Sequence, residues 1–285
     1  MQNSTRSPLQ TSANEDFKGF HIPPTPYEKI TDKHVKREYI KERLALAFRV
    51  MAQNGLDEGA AGHLTVRDSL DGSTFWVNPF GVPFDTMTVT DLLRIDHTGA
   101  IIEGGRSDQM FYNEAAYVIH AAVHSARPDA NAVCHSHSPY SKAFCAFSKP
   151  LSMVSQDACL FYNDHAVYET FGARGVVLKG EESKAIVRAL GQNKALLMAN
   201  HGVLTVGTTI ESATFWFYTT LILLGMEKQC QVQLLVDAAS KGNASPKIIS
   251  QEAAQFTFDQ TGNESVGWLD GNTLVCFLLY KRDSG

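Results

Sequence analysis

The sequence RPDANAVCHSHSPY, residues 127–140, decides the fold and the candidate site of this 285-residue chain. Residues 131–137 have the length and apolar content of a short, partly buried strand, and residues two apart in a strand lie on the same face. His135 and His137 are therefore expected to point the same way, where both can bind one metal ion. A second segment, LLMANHGVL at 196–204, places His201 after another apolar, strand-like run.

These histidines predict a metal site. Three nitrogen ligands that leave coordination positions open are typical of a catalytic metal site rather than a closed structural one. The competing hypothesis is that His135 and His137 are packed or hydrogen-bonded histidines of an ordinary strand. We therefore expect His135, His137 and His201 to be the metal ligands.

The two histidine segments resemble the class II aldolase/adducin family over roughly residues 35–240. The motifs that carry the resemblance are RPDANAVCHSHS, ANHGVLTVG, GHLTVRD (62–68), NPFGVPF (78–84) and TTIESA (208–213), and the run QDACLFYNDHAVYETFG (156–172) is similar to a fungal and bacterial subgroup. The resemblance implies a three-layer α/β/α fold with a central, mainly antiparallel sheet. It also implies a homotetramer with sites between subunits.

The composition indicates a soluble globular protein. Apolar residues make up 44% of the chain and charged residues 19%, with a net charge of −5. Because lysine and arginine form no cluster, nucleic acid is not an expected partner. The apolar runs are too short to span a membrane, the N-terminus lacks the apolar core of a secretory signal, and five widely spaced cysteines suit reduced thiols. A cytoplasmic location is expected.

Three regions are predicted: a flexible N-terminal arm at 1–30, the aldolase-like domain at 31–240, and a C-terminal tail at 241–285 that packs on a neighbouring subunit. The apolar segment Asn272–Tyr280 is expected to add a strand or to insert into a neighbour. Within the domain, periodicity predicts helices at 32–54, 107–125 and 181–190, one long helix at 209–236 partly buried against another subunit, and strands at 176–178, 195–198 and 202–206. The first turn of the 107–125 helix has Ser107 or Asp108 as its expected N-cap.

The resemblance implies an acidic residue on the helix before the histidine strand, but its gapless equivalent is Ala116. Glu114 is the nearest carboxylate and the candidate base, although two residues on a helix differ by about 200°. A solvated helix residue is the alternative interpretation of Glu114, and Asp108 is a second candidate base. Family members that act on sugar phosphates carry two serines before the acid, and the equivalents here are Glu114 and Ala115. A negative charge would repel a phosphate, so the expected substrate is an unphosphorylated hydroxy- or keto-compound.

The remaining site predictions concern loops and tyrosines. His63 stands where the family often has asparagine, and is either a substrate contact or an incidental hairpin histidine. The resemblance implies a tyrosine proton donor supplied across a subunit interface, and Tyr162 and Tyr280 are its candidates. The alternative for each is an ordinary amphipathic packing residue. The predicted substrate-binding residues are His63, Asn78, Gly81 and Gln156.

The predicted function is that of a metal-dependent carbon–carbon lyase, of aldol or retro-aldol type, working through a metal-stabilised enolate. Zn²⁺ is the expected ion, and Fe²⁺, Mn²⁺ and Ni²⁺ also suit three imidazoles. One alternative is an iron(II)-dependent oxygenase or decarboxylase, or an epimerase, on the same three histidines. The other is a non-catalytic, adducin-like interaction module.

Overall fold

A computed structural model of the chain describes residues 22, 25–57, 62–169, 180–218, 224–242 and 245–283. Most of the predicted N-terminal arm and the predicted strand at 176–178 lie outside the described residues. Within the described residues the strands are β1 His63–Arg67, β2 Phe75–Val77, β3 Leu93–Ile95, β4 Ile101–Gly104, β5 Ala132–Ser136, β6 His165–Tyr168, β7 Ala195–Met198 and β8 Gly202–Gly207. The helices are α1 Pro26–Lys29, α2 Lys33–Gln53, α3 Glu114–Ala126, α4 Pro139–Cys145, α5 Gly180–Leu190, α6 Ile210–Phe217, α7 Met226–Ser240, α8 Gln251–Thr261 and α9 Glu264–Asp283, with 3₁₀ turns at Phe84–Thr86 and Asp157–Phe161.

The strands form one sheet in the order β4-β3-β2-β1-β5-β8-β7-β6. Among the described strands every neighbouring pair is antiparallel except β6 and β7, which are parallel. The predicted mainly antiparallel sheet is therefore confirmed. The predicted strands at 195–198 and 202–206 are also confirmed, and they form a hairpin in which Met198 pairs with Gly202.

Helices cover both faces of the sheet, which confirms the α/β/α layering. Leu64 and Cys134 point from β1 and β5 into a large core that also contains residues of α2, α4 and α6. Val133 points the other way, into a smaller core with Ile119 of α3 and Ile186 of α5. Because side chains alternate along a strand, His63 and His135 lie on the α3 side.

The helix before the histidine strand begins later than the sequence predicts. Its N-cap is Asn113, not Ser107 or Asp108, and the Asn113 side chain accepts hydrogen bonds from the amides of Ala115 and Ala116. The preceding segment contains a turn instead, in which the Gln109 amide donates to Arg106 O. Phe111 O accepts from the Phe80 amide, which joins this segment to the loop after β2. Tertiary contacts to another loop override the helical pattern there.

The prediction of one helix over 209–236 is wrong, because the described residues of this region form two helices, α6 and α7. All eight residues of α6 are buried, as expected for a helix that is packed on all sides. Tyr218 then leaves helical geometry, with φ −149° and ψ 130°. A Cβ on Gly225 would lie 2.7 Å from the Tyr218 backbone, so the chain approaches itself closely where α7 begins.

The C-terminal segment is helical, so the strand alternative for Asn272–Tyr280 is wrong, whereas its insertion into a neighbour stays a prediction. This run forms part of α9, which packs on α6 and α2 of the same chain. Leu274 and Val275 are buried there. Packing on two helices thus buries apolar side chains that a strand would have paired on a sheet. No helix among the described residues has the length and apolarity needed to cross a membrane.

Candidate metal centre

Three histidine side chains meet at one end of β5. Ligand nitrogens of His135, His137 and His201 lie within 4.8 Å of one another. Their ring centroids are 5.0 Å apart for His135 and His137, 5.0 Å for His135 and His201, and 4.7 Å for His137 and His201. The structure therefore brings together the three residues that the sequence selects.

Local backbone geometry explains how His201 converges with His135 and His137, which lie 66 and 64 positions before it. β5 and β8 pair with Ser136 opposite Val203, so His137 lies beside the start of β8. Asn200 turns the chain with a left-handed φ of 53°, a conformation that asparagine tolerates. A Cβ on Gly202 would lie 2.5 Å from Ser136 O, so glycine is required for the close approach of the two strands.

The histidines are held as neutral ligands. His135 Nδ1 donates a hydrogen bond to Val203 O at 2.9 Å, because a carbonyl oxygen can only accept. Its Nε2 therefore carries a lone pair, as metal binding requires. Burial lowers the pKa of His135 and His137, and burial together with His137 lowers the pKa of His201 to about 4. All three imidazoles are thus uncharged at neutral pH.

His63 lies beside this cluster on the neighbouring strand. It is directly opposite His135 in the β1–β5 register, and the two rings are stacked with centroids 6.0 Å apart. Its side chain is 6% exposed, and neither ring nitrogen has a hydrogen-bond partner among the described residues. A buried polar atom without a partner costs about 1–3 kcal/mol, which favours a ligand or water next to His63.

Three further residues lie near the site, and the sequence analysis does not select them. Thr65 Oγ1 lies 2.8 Å from His120 Nδ1 and 2.8 Å from His124 Nε2, and all three side chains are buried. His124 Nδ1 in turn lies 3.2 Å from Ala130 O. The spacing of His120 and His124, four residues apart on one helix face, was the available signal.

The predicted loop residues lie at different depths. Asn78 follows β2 and is 7% exposed, and within the described chain its Oδ1 has no hydrogen-bond partner. Gly81 has a left-handed φ of 83°, with open space where a Cβ would be. Gln156 precedes the 3₁₀ turn Asp157–Phe161 and is exposed. Substrate binding by these three residues stays a prediction.

The predicted acid–base residues are not part of the histidine cluster. Glu114 is exposed at the first turn of α3, whereas Ala116 is buried, and Asp108 is also exposed. Tyr162 packs against the large core, on the face of the sheet opposite His135. Tyr280 lies in α9, and its side chain is outside the described part of the structure. Their catalytic roles stay predictions.

The cluster suits a divalent metal ion. It offers convergent neutral imidazoles, and His137 Nε2 is buried without a hydrogen-bond partner in the described structure. The metal-capable group found among the described residues contains no carboxylate. Nitrogen ligands of this kind bind Zn²⁺, Fe²⁺, Ni²⁺ and Mn²⁺, so the ligand set does not select one ion.

Fold and site together define a class II aldolase-like protein. The family model for the Class II Aldolase and Adducin N-terminal domain matches residues 42–234, and the chain belongs to this family. A solved structure, L-fuculose 1-phosphate aldolase from Glaciozyma antarctica PI12, is similar with a TM-score of 0.79 and 42% identity. The match covers 92% of this chain and 95% of that one.

Two curated bacterial relatives have other activities in their names. Decarboxylase NovR from Streptomyces niveus is 43% identical over 81% of this chain and 81% of its own length. A 4-hydroxy-3-prenylphenylpyruvate oxygenase/4-hydroxy-3-prenylbenzoate synthase from Streptomyces roseochromogenus subsp. oscitans is 42% identical over 81% of this chain and 79% of its own. Family membership therefore fixes the class of protein and leaves the reaction type open.

Proposed function

We propose that this protein is a metal-dependent lyase that breaks a carbon–carbon bond next to a carbonyl group, in the manner of a retro-aldol reaction. The observation that carries the proposal is the convergence of His135, His137 and His201 beside His63, whose buried nitrogens have no partner in the described structure. Such a site combines ligands for a metal ion with a group that can contact the substrate.

The three clustered histidines would hold the ion. When bound, a divalent ion supplies Lewis-acid chemistry, drawing charge from a carbonyl oxygen and so easing cleavage of the adjacent bond. His63 would contact the substrate's hydroxyl group, because it lies beside the cluster and is neutral. Its pKa is held well below the ordinary histidine value by burial and by His120, His137 and His201. Thus His63, rather than the exposed Glu114, is positioned to accept a hydrogen bond from the substrate.

The substrate class is proposed to be unphosphorylated. The first amides of α3, at Ala115 and Ala116, are already occupied by the Asn113 side chain. Glu114 adds a negative charge at the same helix end. Both features disfavour a phosphate at that position, since a phosphate needs free amides and no nearby anion. A hydroxy- or keto-acid whose polar groups reach the histidine cluster is the proposed substrate.

A second candidate function is oxygen-dependent decarboxylation with iron(II). The observation that favours it is the pair of relatives named as a decarboxylase and an oxygenase, each at least 42% identical over 81% of this chain. The histidine cluster, which includes no carboxylate among the described residues, suits iron as well as zinc.

The proposal is tested first by metal analysis. The untagged protein is purified, and zinc, iron, manganese and nickel are counted per subunit. We expect about one ion per chain, as in other three-histidine sites. His135→Ala and His137→Ala should lose the ion and remain folded by circular dichroism, whereas His97→Gln, on the exposed surface, should keep it. Full metal content in both alanine variants would refute the three-histidine site.

Turnover then separates the two functions. The protein is incubated, in air and under argon, with β-hydroxy carbonyl acids, with their phosphorylated counterparts and with 4-hydroxy-3-prenylphenylpyruvate. Aldehyde release that is equal in air and argon supports the lyase. Oxygen uptake coupled to carbon dioxide release supports the second candidate. A protein without metal, metal uptake or turnover would refute both and favour an adducin-like module.

We further propose a homotetramer in which residues 241–285 also contact a neighbouring subunit. Leu235 on α7 is 64% exposed and Phe256 on α8 is 67% exposed, and these apolar side chains support a protein contact there. Mass measurement in solution tests the assembly, and a monomer would contradict it. The five cysteines are free, as suits a reducing compartment, which supports the proposed cytoplasmic location.

A further inference from the structure

Behind His63 lies a buried hydrogen-bond chain that the proposed mechanism leaves unused. It runs from Ala130 O through His124, Thr65 and His120, with contacts of 3.2, 2.8 and 2.8 Å. The chain ends at His120 Nε2, which is buried and has no partner among the described residues. The His120 ring meets the His63 ring edge to face, with centroids 6.0 Å apart.

The direction of every hydrogen bond in this chain is fixed by its first member. Ala130 O can only accept, so His124 Nδ1 carries a hydrogen. Burial keeps His124 neutral, so its Nε2 must accept the single hydrogen of the Thr65 hydroxyl. Thr65 Oγ1 then accepts from His120, whose hydrogen must be on Nδ1. Because His120 is also buried and neutral, His120 Nε2 is left as a lone pair.

That lone pair determines what His63 can do. An acceptor beside His63 is satisfied only if His63 turns an N–H towards it. Since a neutral imidazole has one N–H, the other His63 nitrogen must then be an acceptor. This bond is not formed among the described residues, since His120 Nε2 and both His63 nitrogens are without a partner there, and catalytic hydrogen bonds often tighten only when substrate binds.

We propose that Thr65, His120 and His124 are positioning residues that hold His63 in a single tautomer, with one nitrogen donating to His120 Nε2 and the other accepting from a substrate hydroxyl at the histidine cluster. This inference rests on the proposed function for its substrate. The order of hydrogens in the chain, however, follows from the structure alone and can be measured without turnover.

The first experiment measures the tautomers directly. The zinc-loaded protein, labelled with ¹⁵N in histidine, is studied by long-range ¹⁵N–¹H correlation spectroscopy, and His120→Gln and His124→Gln assign the two signals. We expect both residues to carry hydrogen on Nδ1 and none on Nε2. A hydrogen on Nε2 of His120 would overturn the proposal, whatever the protein catalyses.

The second experiment removes the central hydroxyl. Thr65→Val keeps the shape of the side chain but breaks both hydrogen bonds, whereas Thr65→Ser keeps the hydroxyl. We expect Thr65→Val to lower kcat roughly 10- to 100-fold, as for other residues that orient a catalytic group, with KM and metal content unchanged. Thr65→Ser should restore most of kcat.

Three outcomes of this pair would contradict the proposal. Equal kcat in Thr65→Val and the parent would show that the chain positions nothing. Equal losses in Thr65→Val and Thr65→Ser would indicate a packing role. Loss of metal in Thr65→Val would show that Thr65 supports the ligands rather than His63. If the parent shows no turnover, the proposed function fails. The hydrogen-bond chain is then still tested by comparing the tautomer of His120 in Thr65→Val with its tautomer in the parent.

Discussion

The buried histidines of α3 make the stability of this fold depend on pH in a direction that can be worked out. Burial, with His124 nearby, lowers the pKa of His120 to about 3, and burial, with Arg67 nearby, lowers that of His124 to about 3. In an unfolded chain a histidine has a pKa of about 6.5. Between these values the unfolded state binds protons that the folded state excludes. The contribution of these two histidines to the free energy of unfolding is therefore fully present above about pH 6.5 and is lost as the pH is lowered towards 3.

The size of the effect follows from the two pKa values. Lowering the pH from about 7 to about 5 should cost about 2 kcal/mol for each of these histidines. His124→Gln removes one of the two and keeps a side-chain oxygen that can accept from Thr65. Its free energy of unfolding should therefore fall by about 2 kcal/mol less than that of the parent over the same interval.

The assay is urea unfolding at both pH values, at one protein concentration and with chelator, so that metal binding and assembly do not contribute differently. His97→Gln, on the exposed surface, controls for removal of any single histidine. If the parent and His124→Gln lost the same free energy between the two pH values, the neutral, buried state of His124 would be refuted. The hydrogen-bond directions inferred from it would fall as well.

Three further predictions concern the site and the core. Gly202→Ala should lower metal affinity roughly 10-fold or more, because the new Cβ would lie 2.5 Å from Ser136 O and push β8 away from β5. Titration with zinc measures the affinity, and an unchanged value would contradict the required close approach of the strands. Lys194→Met should lower the free energy of unfolding by roughly 3 kcal/mol, because it removes one member of the buried ion pair with the Asp164 carboxylate. Lys194 is 1% exposed, its ammonium lies 3.6 Å from that carboxylate, and it donates a hydrogen bond to Gly262 O. Urea unfolding tests this, and a loss below about 1 kcal/mol would show that the buried charge contributes little. Glu114→Gln should keep both metal content and turnover, because Glu114 is exposed; a large fall in kcat at full metal content would return it to the role of base.

Several features of the fold could be predicted because they depend on neighbouring residues only. Alternation along residues 131–137 placed His135 and His137 on one face, although β5 itself ends at Ser136. The apolar runs at 195–198 and 202–206 lie in the strands β7 and β8. The helix at 181–190 is confirmed as α5, since an amphipathic period of 3.6 is visible within eleven residues. Local backbone geometry determines these patterns, so sequence is sufficient.

Other features depended on packing between distant segments. The start of α3 at Glu114 was missed because contacts between loops, not helix propensity, hold the residues before it. The break between α6 and α7 was missed because burial on all sides produces the same apolar pattern as one continuous helix. The last apolar segment forms a helix because α6 and α2 provide its packing surface.

The sequence by itself determined the three histidines and the strands next to them, and its resemblance to a known family implied the layered architecture. Only the tertiary structure decided what surrounds them: His63 lies opposite His135 through strand register, and Thr65 meets His120 and His124 through the docking of α3 on β1. The physical reason is the range of the forces involved. The repeat of a strand or helix is set within a few residues, whereas a buried hydrogen-bond chain exists only after segments about 55 positions apart have packed together.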